Sequence, residues 1–384
     1  MPDPVRQEIA GRSNTIVVKV GTRVLANEDG TLDQNRVQAI AEQLVHLMNQ
    51  KRQVVLVSSG AVGAGMGRLG LPQRPTDLAH LQAVAAVGQT RLIESYNVAL
   101  QPHGRHAAQI LLTADDLNDR MRYLNVRNTL LAVFQYGALP IINENDTVRV
   151  DELQRNFGDN DRLAAMVTNL LRAPLLVLLS DVEGLYDRHP RSEGATVIPL
   201  VEHLDEAICA FQRQTPVATG PNNLSRGGMA SKLEAARLAV TGGENVVIAN
   251  GRRANVLVDL INGETVGTLF VAHGPGVTSR KRWIGLTAQP NGRLVLDSGA
   301  QQAVQQQGRS LLAVGVRRVE GNFQKGDVVS LCRDNNDEIA RGLTNYGSEE
   351  LRRIAGHASQ DIVAILGHCP YDEVVHRDNL VILG

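Results

Sequence analysis

The sequence has few of the residues that mark secreted, zinc-binding or nucleic-acid-binding proteins. Its 384 residues include three cysteines, Cys209, Cys332 and Cys369, which lie far apart and form no CxxC pair. This odd, scattered set indicates neither a disulfide framework nor a zinc site, and it is consistent with a reducing cytosol. The formal net charge is −1, so no global field attracts nucleic acid or an anionic membrane.

Apolar runs long enough to cross a bilayer are also missing, since one of the longest is Leu175–Leu179. Residues 1–13 are polar, and no secretory signal is visible in them. Hydrophobic residues nevertheless make up 43% of the chain, which is ample for a large core, and the length exceeds that of one ordinary domain. We therefore expect a cytoplasmic protein with two domains and no membrane association.

Short β-branched or leucine-rich runs alternate with longer stretches of helical period over the first two thirds of the chain. This alternation is typical of an open α/β fold, in which helices cover both faces of a mostly parallel sheet. The helical candidates carry apolar residues three or four positions apart. The predicted strands are Thr15–Val20, Gln53–Val57, Ala107–Leu112, Leu139–Asn143, Leu175–Ser180 and Asn245–Ala249, and the predicted helices are Gln34–Gln50, Ala79–Leu100, Tyr123–Tyr136, Asp161–Leu171 and Met229–Val240.

Polar residues and glycines directly follow several of these strands. Open parallel sheets bind ligands beyond the carboxyl ends of their strands. We therefore expect one cleft to contain Gly21, Ser58-Ser59-Gly60, Asn143-Glu144-Asn145-Asp146 and Asp181.

The pattern changes near Ala272–Trp283, where Gly-Pro-Gly and a basic cluster at 280–282 interrupt it. We place a first domain at 1–275, a linker at 276–290 and a second domain at 291–384. Short strands and turns with at most one helix, near Glu349–Ile354, predict a small β-rich barrel for the second domain. Its predicted strands are Arg293–Leu296, Leu311–Val316, Asp327–Leu331, Glu338–Gly342, Ile362–Leu366 and Leu380–Leu383.

Two lysines are the best candidates for binding phosphate. Lys19 lies in the run Val17-Val18-Lys19-Val20, which leads into a glycine turn, and a lysine buried at the end of a central strand needs an anionic partner. Lys232 follows Gly227-Gly228 at a helix start, where glycines expose backbone amides toward an anion. The simpler alternatives are a surface lysine on an edge strand for Lys19 and an ordinary exposed lysine for Lys232.

Two other motifs suggest different enzyme classes but have the wrong context. Gly65-Met66-Gly67-Arg68-Leu69-Gly70 matches GxGxxG, yet it begins eight residues after the strand that ends at Val57, not in a strand-to-helix turn. His376-Arg377-Asp378 imitates a protein-kinase catalytic loop, without a DFG motif or a matching glycine loop. We therefore expect neither a dinucleotide-dependent dehydrogenase nor a protein kinase.

Several distinctive strings follow one another along nearly the whole chain. They are Val18-Lys19-Val20-Gly21-Thr22, Val57-Ser58-Ser59-Gly60-Ala61, Ala85-Ala86-Val87-Gly88-Gln89, Pro140-Ile141-Ile142-Asn143-Glu144-Asn145-Asp146, Gly158-Asp159-Asn160-Asp161, Gly227-Gly228-Met229 with Lys232, and Arg280-Lys281-Arg282-Trp283. In this order they resemble the glutamate 5-kinase family in the form that carries a carboxy-terminal PUA domain. The resemblance implies the amino acid kinase fold at 1–275 and a PUA barrel at 291–384. It also implies transfer of the ATP γ-phosphoryl group to the side-chain carboxylate of L-glutamate, which gives L-glutamyl 5-phosphate in the first step of proline biosynthesis.

The same resemblance implies roles for individual residues, with Lys19 and Lys232 as the catalytic pair. The family usually has a small hydroxyl residue at position 226, so we expect the guanidinium of Arg226 to supply charge to the nucleotide phosphates instead. The implied glutamate-binding residues are Ser59, Asp146 and Asn160, with Asn145, Asp159 and Asp161 beside them. The implied ATP-binding residues are Lys19, Gly21, Thr22, Ser180, Asp181, Arg226, Gly227, Gly228, Met229, Ala230, Ser231 and Lys232.

The chemistry of such a transfer independently favours cations over a general base. A glutamate side chain, with a pKa of about 4.3, is already ionised at neutral pH. It must approach an anionic triphosphate, and two unit charges about 4 Å apart interact by roughly 4 kcal/mol at an effective dielectric constant of about 20. Lysines and Mg²⁺ neutralise this repulsion, and we expect Mg²⁺ to be held mainly by phosphates and water.

The expected partners are L-glutamate and ATP, with proline as an inhibitor that occupies part of the glutamate site. We also expect a homo-oligomer, either dimer or tetramer, and passage of the fragile acyl phosphate to glutamyl phosphate reductase. Aspartokinase, acetylglutamate kinase, carbamate kinase and uridylate kinase share the fold and stay open as alternatives, as does RNA binding by the PUA domain. Residues 284–384 carry 12 acidic and 10 basic side chains, so RNA binding is not expected.

Overall fold

The computed structural model describes residues 3–148, 160–214, 228–272 and 279–383. The chain divides into a larger unit, built from Met1–Leu117 and Met121–Gly276, and a smaller unit, built from Asn118–Arg120 and Val277–Gly384. None of the helices in the described ranges is both long enough and apolar enough to cross a membrane.

An eight-stranded sheet forms the centre of the larger unit, with the strand order β3-β4-β2-β1-β5-β7-β8-β6. Neighbouring strands are parallel except β7 and β8, which are antiparallel. All six predicted strands are confirmed, and none of their ends is displaced by more than one residue. The strands are β1 Thr15–Val20, β2 Gln53–Ser58, β3 Ala107–Leu112, β4 Leu139–Glu144, β5 Leu175–Ser180, β6 Leu200–Val201, β7 Asn245–Asn250 and β8 Thr268–Phe270.

Helices cover both faces of this sheet. The five predicted helices are confirmed to within three residues at each end. The amphipathic stripes of α3, α5 and α11 share one apolar core with β1, β2 and β5, while α8 and α10 pack on the sheet as a second pair. The helices are α1 Pro4–Arg12, α2 Thr22–Leu25, α3 Gln34–Asn49, α4 Ala61–Leu69, α5 Leu78–Leu100, α6 Ala114–Asn118, α7 Arg120–Gln135, α8 Asn160–Leu171, α9 Leu204–Gln214, α10 Met229–Thr241 and α11 Val256–Ile261.

Helix α4 follows β2 directly and was not predicted, because three glycines in nine residues give it poor intrinsic helix propensity. It contains most of the GxGxxG match, which therefore lies inside a helix and not in a strand-to-helix turn. The glycines instead permit a close approach between α4 and α5. An ideal Cβ on Gly88 of α5 would lie 1.7 Å from the Ala61 carbonyl oxygen, and one on Gly65 of α4 would lie 1.9 Å from that of Val84.

Replacing Gly88 by alanine is expected to lower the free energy of unfolding by about 1–3 kcal/mol, because the added methyl group meets backbone atoms that cannot rotate away. Urea denaturation followed by circular dichroism measures this change. Gly11→Ala is the matched control, since a Cβ at Gly11 of α1 meets nothing within 4 Å. It should leave stability unchanged or raise it by up to about 1 kcal/mol. Equal stabilities of the two variants would contradict the close packing of α4 and α5.

The smaller unit contains a six-stranded sheet with the order β10-β14-β13-β12-β9-β11. Its core joins leucines and valines of these strands to Tyr346, Leu351 and Ile354. The strands are β9 Gly292–Leu296, β10 Leu311–Leu312, β11 Val316–Gly321, β12 Val328–Cys332, β13 Glu338–Thr344 and β14 Glu373–Ile382, and the helices are α12 Ser279–Arg282, α13 Ser298–Gln305, α14 Ser348–Ile354 and α15 Ile362–Leu366.

Three predictions for this unit were wrong in detail. Ile362–Leu366 is a helix and not a strand: Ile362, Ile365 and Leu366 pack on the core at helical spacing, while Val363 is exposed. A short apolar run does not distinguish the two periods. The predicted strand Leu311–Val316 is interrupted by a 3-10 turn, and more than one helix is present. The predicted strand Leu380–Leu383 overlaps the end of the longer strand β14. His376-Arg377-Asp378 also lies within β14, so these residues do not form a catalytic loop.

Candidate active site

Lys19 lies on β1, the strand between β2 and β5, where its backbone pairs with Val57 and Leu178. The residue is only 4% exposed. The prediction that Lys19 belongs to a buried parallel strand is therefore confirmed, and the edge-strand alternative is wrong. A buried ammonium group requires an anionic partner, because its transfer out of water is costly.

That partner is Asp161, in the first turn of α8, whose side chain is fully buried. Lys19 Nζ lies 2.5 Å from Asp161 Oδ1, and Lys232 Nζ lies 3.1 Å from Asp161 Oδ2. Ser231 Oγ donates a hydrogen bond of 2.9 Å to the same Oδ2. Lys232 is also 4% exposed, so the exposed-lysine alternative is wrong for it as well. One carboxylate therefore brings both predicted lysines to a single point.

The surroundings of Asp161 keep its carboxylate ionised. Burial by itself would raise the pKa of Asp161, but attraction to Lys19 and Lys232, with hydrogen bonds from Lys19 and Ser231, holds that pKa below its ordinary value. The first turn of a helix also favours a negative charge, because the backbone N–H dipoles point toward it. The buried cluster is consequently a charged network and not a set of neutral groups.

An amide cluster lies one residue away on α8. Asn160 Nδ2 donates to Ser59 Oγ at 2.7 Å and to Asn143 Oδ1 at 3.0 Å. Asn143 Nδ2 in turn donates to Gln89 Oε1 at 2.8 Å. Ser59 directly follows β2, and Asn143 lies near the carboxyl end of β4. The predicted convergence of Ser59 with Asn160 is therefore present, and Asn143 and Gln89 join them.

Asp181, directly after β5, pairs with Arg23 of α2 at 3.0 Å and accepts a 3.2 Å hydrogen bond from Ser180 Oγ. The pKa of Asp181 is lowered: partial burial would raise it, but the hydrogen bonds from Arg23, the backbone and Ser180, together with the charge of Arg23, outweigh that effect. Thr22, Arg23, Asp181 and Arg252 line one cavity of about 590 Å³. Gly21 N donates to Leu179 O at 3.1 Å, and a Cβ on Gly21 would lie 3.6 Å from Lys19 Nζ. The turn after β1 therefore passes close to the Lys19 ammonium group.

Some predicted site residues make less distinctive contacts. Asn145 Oδ1 accepts a hydrogen bond from Thr147, and Asp146 begins a 3-10 turn after β4. Gly228 is the N-cap of α10, and its carbonyl accepts from Ser231 Oγ at 3.3 Å. Met229 and Ala230 form the start of α10, where Ala230 is exposed. Asp159, Arg226 and Gly227 lie outside the described residues, so the expectations for them stay predictions.

Sequence reasoning missed the contributions of Arg23 and Gln89 to these clusters. Arg23 follows Gly21-Thr22 without a pattern that would pair it with a carboxylate 158 residues away. Gln89 and Asn143 stand in the strings that carry the family resemblance, but nothing in the sequence indicates that they contact each other across 54 residues. Asp161 was expected beside glutamate, and the structure shows that both its oxygens contact the lysine pair.

Two family models match the chain: one described as "Amino acid kinase family" at residues 14–250, and one described as "PUA domain" at residues 292–366. These matches, together with the sheet and the paired lysines, define a kinase of the amino acid kinase class with an appended PUA domain. A carbamate kinase structure from Giardia lamblia, bound to AMP-PNP, aligns with 68% of this chain and 99% of its own, at 17% identity and a TM-score of 0.48.

Curated relatives over nearly the full length carry the name Glutamate 5-kinase. The protein from Rhodopirellula baltica is 49% identical over 98% of this chain and 96% of its own length. The relatives from Pelobacter propionicus and Thioalkalivibrio sulfidiphilus are 43% and 45% identical, and they cover 99% and 98% of this chain and 100% and 99% of their own lengths. The chain therefore belongs to the glutamate 5-kinase family.

Proposed function

We propose that this protein transfers the γ-phosphoryl group of ATP to the side-chain carboxylate of L-glutamate and releases L-glutamyl 5-phosphate and ADP. The observation that carries the proposal is the convergence of Lys19 and Lys232 on Asp161, one residue along α8 from the Ser59–Asn160 contact. Two cations beside a cluster of polar side chains match a reaction in which an anion attacks a triphosphate. The relatives named Glutamate 5-kinase support glutamate as the acceptor.

The proposed mechanism is electrostatic. The glutamate carboxylate is the nucleophile, and its pKa of about 4.3 leaves no proton for a base to remove at neutral pH. Its oxygen forms a bond to the γ-phosphorus while the bond from that phosphorus to the bridging oxygen breaks, and ADP leaves with the electron pair. Lys19 and Lys232 stabilise the charge on the transferring group and on the leaving oxygen, in a buried site where such interactions are stronger than in water.

Asp161 acts as a positioning residue in this scheme. Without a fixed counter-charge, two lysine ammonium groups would repel each other and move apart. The carboxylate oxygens of Asp161 hold one lysine each, at 2.5 and 3.1 Å, and keep both ammonium groups aimed at the same region. We assign the glutamate contacts to Ser59 and Asn160, whose hydroxyl and amide suit the α-carboxylate and α-ammonium groups.

The nucleotide is assigned to the carboxyl ends of β1 and β5 and to the start of α10. Gly21, Ser180 and Gly228 lie there, and the N-terminus of α10 favours an anion. The described residues contain no group of three His, Cys, Asp or Glu side chains arranged to hold a metal ion. We propose that phosphates and water mainly hold the Mg²⁺ that accompanies ATP, because Mg²⁺ usually keeps several waters and binds substrate phosphates, whose charge it would neutralise.

We further propose proline as a feedback inhibitor, because its α-amino acid head offers the same ammonium and carboxylate groups as glutamate to Asp146 and Asn160. An acyl phosphate hydrolyses readily, so its transfer to glutamyl phosphate reductase in the cytoplasm completes the proposed role in proline biosynthesis. A homo-oligomer, dimer or tetramer, is part of the same proposal and rests on the family resemblance.

An ATP-dependent hydroxamate assay tests the function directly, because hydroxylamine traps an acyl phosphate as a coloured iron complex. We expect glutamate to give strong product, while aspartate and N-acetylglutamate give less than about a hundredth of its rate, since an unpaired buried polar group costs about 1–3 kcal/mol. Release of ADP with UMP, which cannot form a hydroxamate, checks the uridylate kinase alternative. Added proline should raise the glutamate concentration for half-maximal rate. Equal product with aspartate, or with N-acetylglutamate, would overturn the assignment.

A further inference from the structure

Gln89, Asn143, Asn160 and Ser59 form a chain of hydrogen bonds, here named the amide relay, and one backbone group sets its direction. The N–H of Glu144 donates to Asn143 Oδ1 at 2.9 Å. A backbone N–H can only donate, so it must face the oxygen of Asn143 and not the amino group. The Asn143 amide is therefore locked in one of its two orientations.

Each further hydrogen bond of the relay then has a single possible direction. On one side, Asn143 Nδ2 must donate, and it finds Gln89 Oε1 at 2.8 Å. On the other side, Asn143 Oδ1 accepts from Asn160 Nδ2 at 3.0 Å. Turning the Asn160 amide over would place its oxygen against that of Asn143, so two acceptors would face each other without a proton. The backbone N–H of Glu144 therefore fixes the orientation of the Asn160 amide through Asn143.

The relay ends in two groups with defined hydrogen-bonding capacity. Asn160 Oδ1 is buried and has no hydrogen-bond partner among the residues that the structure describes. Ser59 Oγ accepts from Asn160 Nδ2, so the hydroxyl proton of Ser59 is left to donate elsewhere. An acceptor next to a donor complements an ammonium group next to a carboxylate. If the Asn160 amide were reversed, its NH2 group would face the ammonium group of a ligand. Two donors would then meet, and no hydrogen bond could form.

We propose that Gln89 and Asn143 are positioning residues for the amino-acid substrate, which act through Asn160 by fixing its carbonyl as an acceptor for the α-ammonium group. The proposal rests on the proposed function, because it takes Asn160 as a glutamate contact. Both residues suit the task, since Asn143 is 3% and Gln89 7% exposed. Gln89 also follows Gly88, so the close approach of α4 and α5 determines where its side chain reaches.

Kinetics of Gln89→Met and Asn143→Leu test the proposal. Either change leaves a buried polar group of the relay without its partner, and the KM for glutamate should rise about tenfold. The kcat at saturating glutamate and the KM for ATP should each change by less than about threefold, because the lysine pair is untouched. Gln89→Glu retains an oxygen that accepts from Asn143 Nδ2, and it should restore most of the glutamate affinity lost in Gln89→Met.

A double-mutant cycle measures the coupling between the two substitutions in the glutamate KM, which general destabilisation of the fold would not produce. If Gln89 acts through Asn143, adding Gln89→Met to Asn143→Leu should raise the glutamate KM by less than about twofold further. Fully multiplicative effects would show that the two residues act independently and would overturn the relay.

Gln43→Met is the matched control, because Gln43 is likewise 7% exposed and hydrogen-bonded, to Ala39 O and Leu257 N. It should lower the melting temperature and leave the glutamate KM unchanged.

Asn160→Ala separates failure of this inference from failure of the proposed function. If Asn160→Ala raises the glutamate KM while Gln89→Met leaves it unchanged, the relay is wrong and the assignment of Asn160 stands. If Asn160→Ala also leaves the glutamate KM unchanged, the proposed substrate contact is wrong, and the inference fails with it. A rise in the KM for ATP that equals the rise for glutamate in Gln89→Met would likewise contradict a role confined to the amino-acid pocket.

Discussion

Lys232→Met should lower kcat by about 10²–10³-fold, the usual effect of removing one group that stabilises developing charge in the transition state. The loss should appear in kcat and kcat/KM together, because the interaction is strongest when charge moves onto the leaving oxygen. The fold should persist, since Lys19 retains Asp161 as its partner at 2.5 Å. Steady-state kinetics with varied ATP and glutamate measure the effect, and the melting temperature reports on the fold.

Lys51→Met is the matched control for this substitution. Lys51 is an exposed lysine in the turn between α3 and β2, and its loss removes the same charge from the larger unit. Its kcat should remain within about twofold of the wild type, because an exposed charge outside the site is screened by solvent. A Lys232→Met enzyme with unchanged kcat would remove the catalytic pair from the proposed mechanism, however well the fold is preserved.

Asp161→Asn should produce the second large effect, on stability as well as activity. The change is isosteric, yet it removes the negative charge that two lysines share while each is 4% exposed. Breaking a buried ion pair by removing one partner typically costs about 3–5 kcal/mol. The kcat should also fall by about 10²-fold, because the ammonium groups lose the anchor that aims them. Denaturation in urea and hydroxamate formation measure the two effects.

The pH dependence of this variant identifies the carboxylate as the cause. The pKa of Asp161 is lowered in the folded protein, so its contribution to stability is complete above the unfolded-state pKa of about 3.9. That contribution disappears as the pH falls through the lower folded-state pKa. The difference in unfolding free energy between wild type and Asp161→Asn should therefore be constant near neutrality and shrink below about pH 4. A difference that stays constant across the acid range would contradict the proposed charge network.

Asp205→Asn provides the control for Asp161→Asn. Asp205 forms an ion pair with Arg237 at 3.8 Å, but its side chain is 88% exposed. Surface pairs of this kind contribute little to stability, so the variant should be close to wild type in both assays.

ATP should also recover part of the stability of Asp161→Asn, because bound phosphate replaces the missing counter-charge. Lack of any such recovery would place the lysine pair away from the nucleotide.

The sequence predicted the frame of this site well, because buried parallel strands leave a strong signal. Runs such as Leu175–Leu179 are apolar throughout, and the lysine in the mostly apolar run Thr15–Val20 stands out for that reason. Lys232 was recognisable only through the glycines at the start of α10. The helical period of the sequence also predicted α3, α5 and α8. Together with the strands, these helices allowed the carboxyl edge of the sheet to be predicted from the sequence alone.

The contacts across that edge could not be predicted, because they depend on packing between distant segments. Asp161 lies 142 residues from Lys19, and the sequence indicated a ligand contact for it without indicating that it pairs with both lysines. Helix α4 was missed because glycines at 63, 65 and 67 oppose helix formation, and the packing of Gly65 against Val84 of α5 is not visible in the sequence. Ile362–Leu366 was misread because five apolar residues fit a strand or a helix until the core selects one face.

Asn160 and Asp161 are neighbours in the chain, and this adjacency has a consequence for the geometry of the reaction. In the proposed mechanism Asn160 contacts the acceptor and Asp161 holds the two lysines, and their Cα atoms are separated by the fixed span of about 3.8 Å across a trans peptide bond. Phosphoryl transfer requires donor and acceptor at a defined separation. On this proposal the covalent backbone, which no side-chain rotation or change of solvent alters, limits how far the acceptor contact and the cation anchor can move apart.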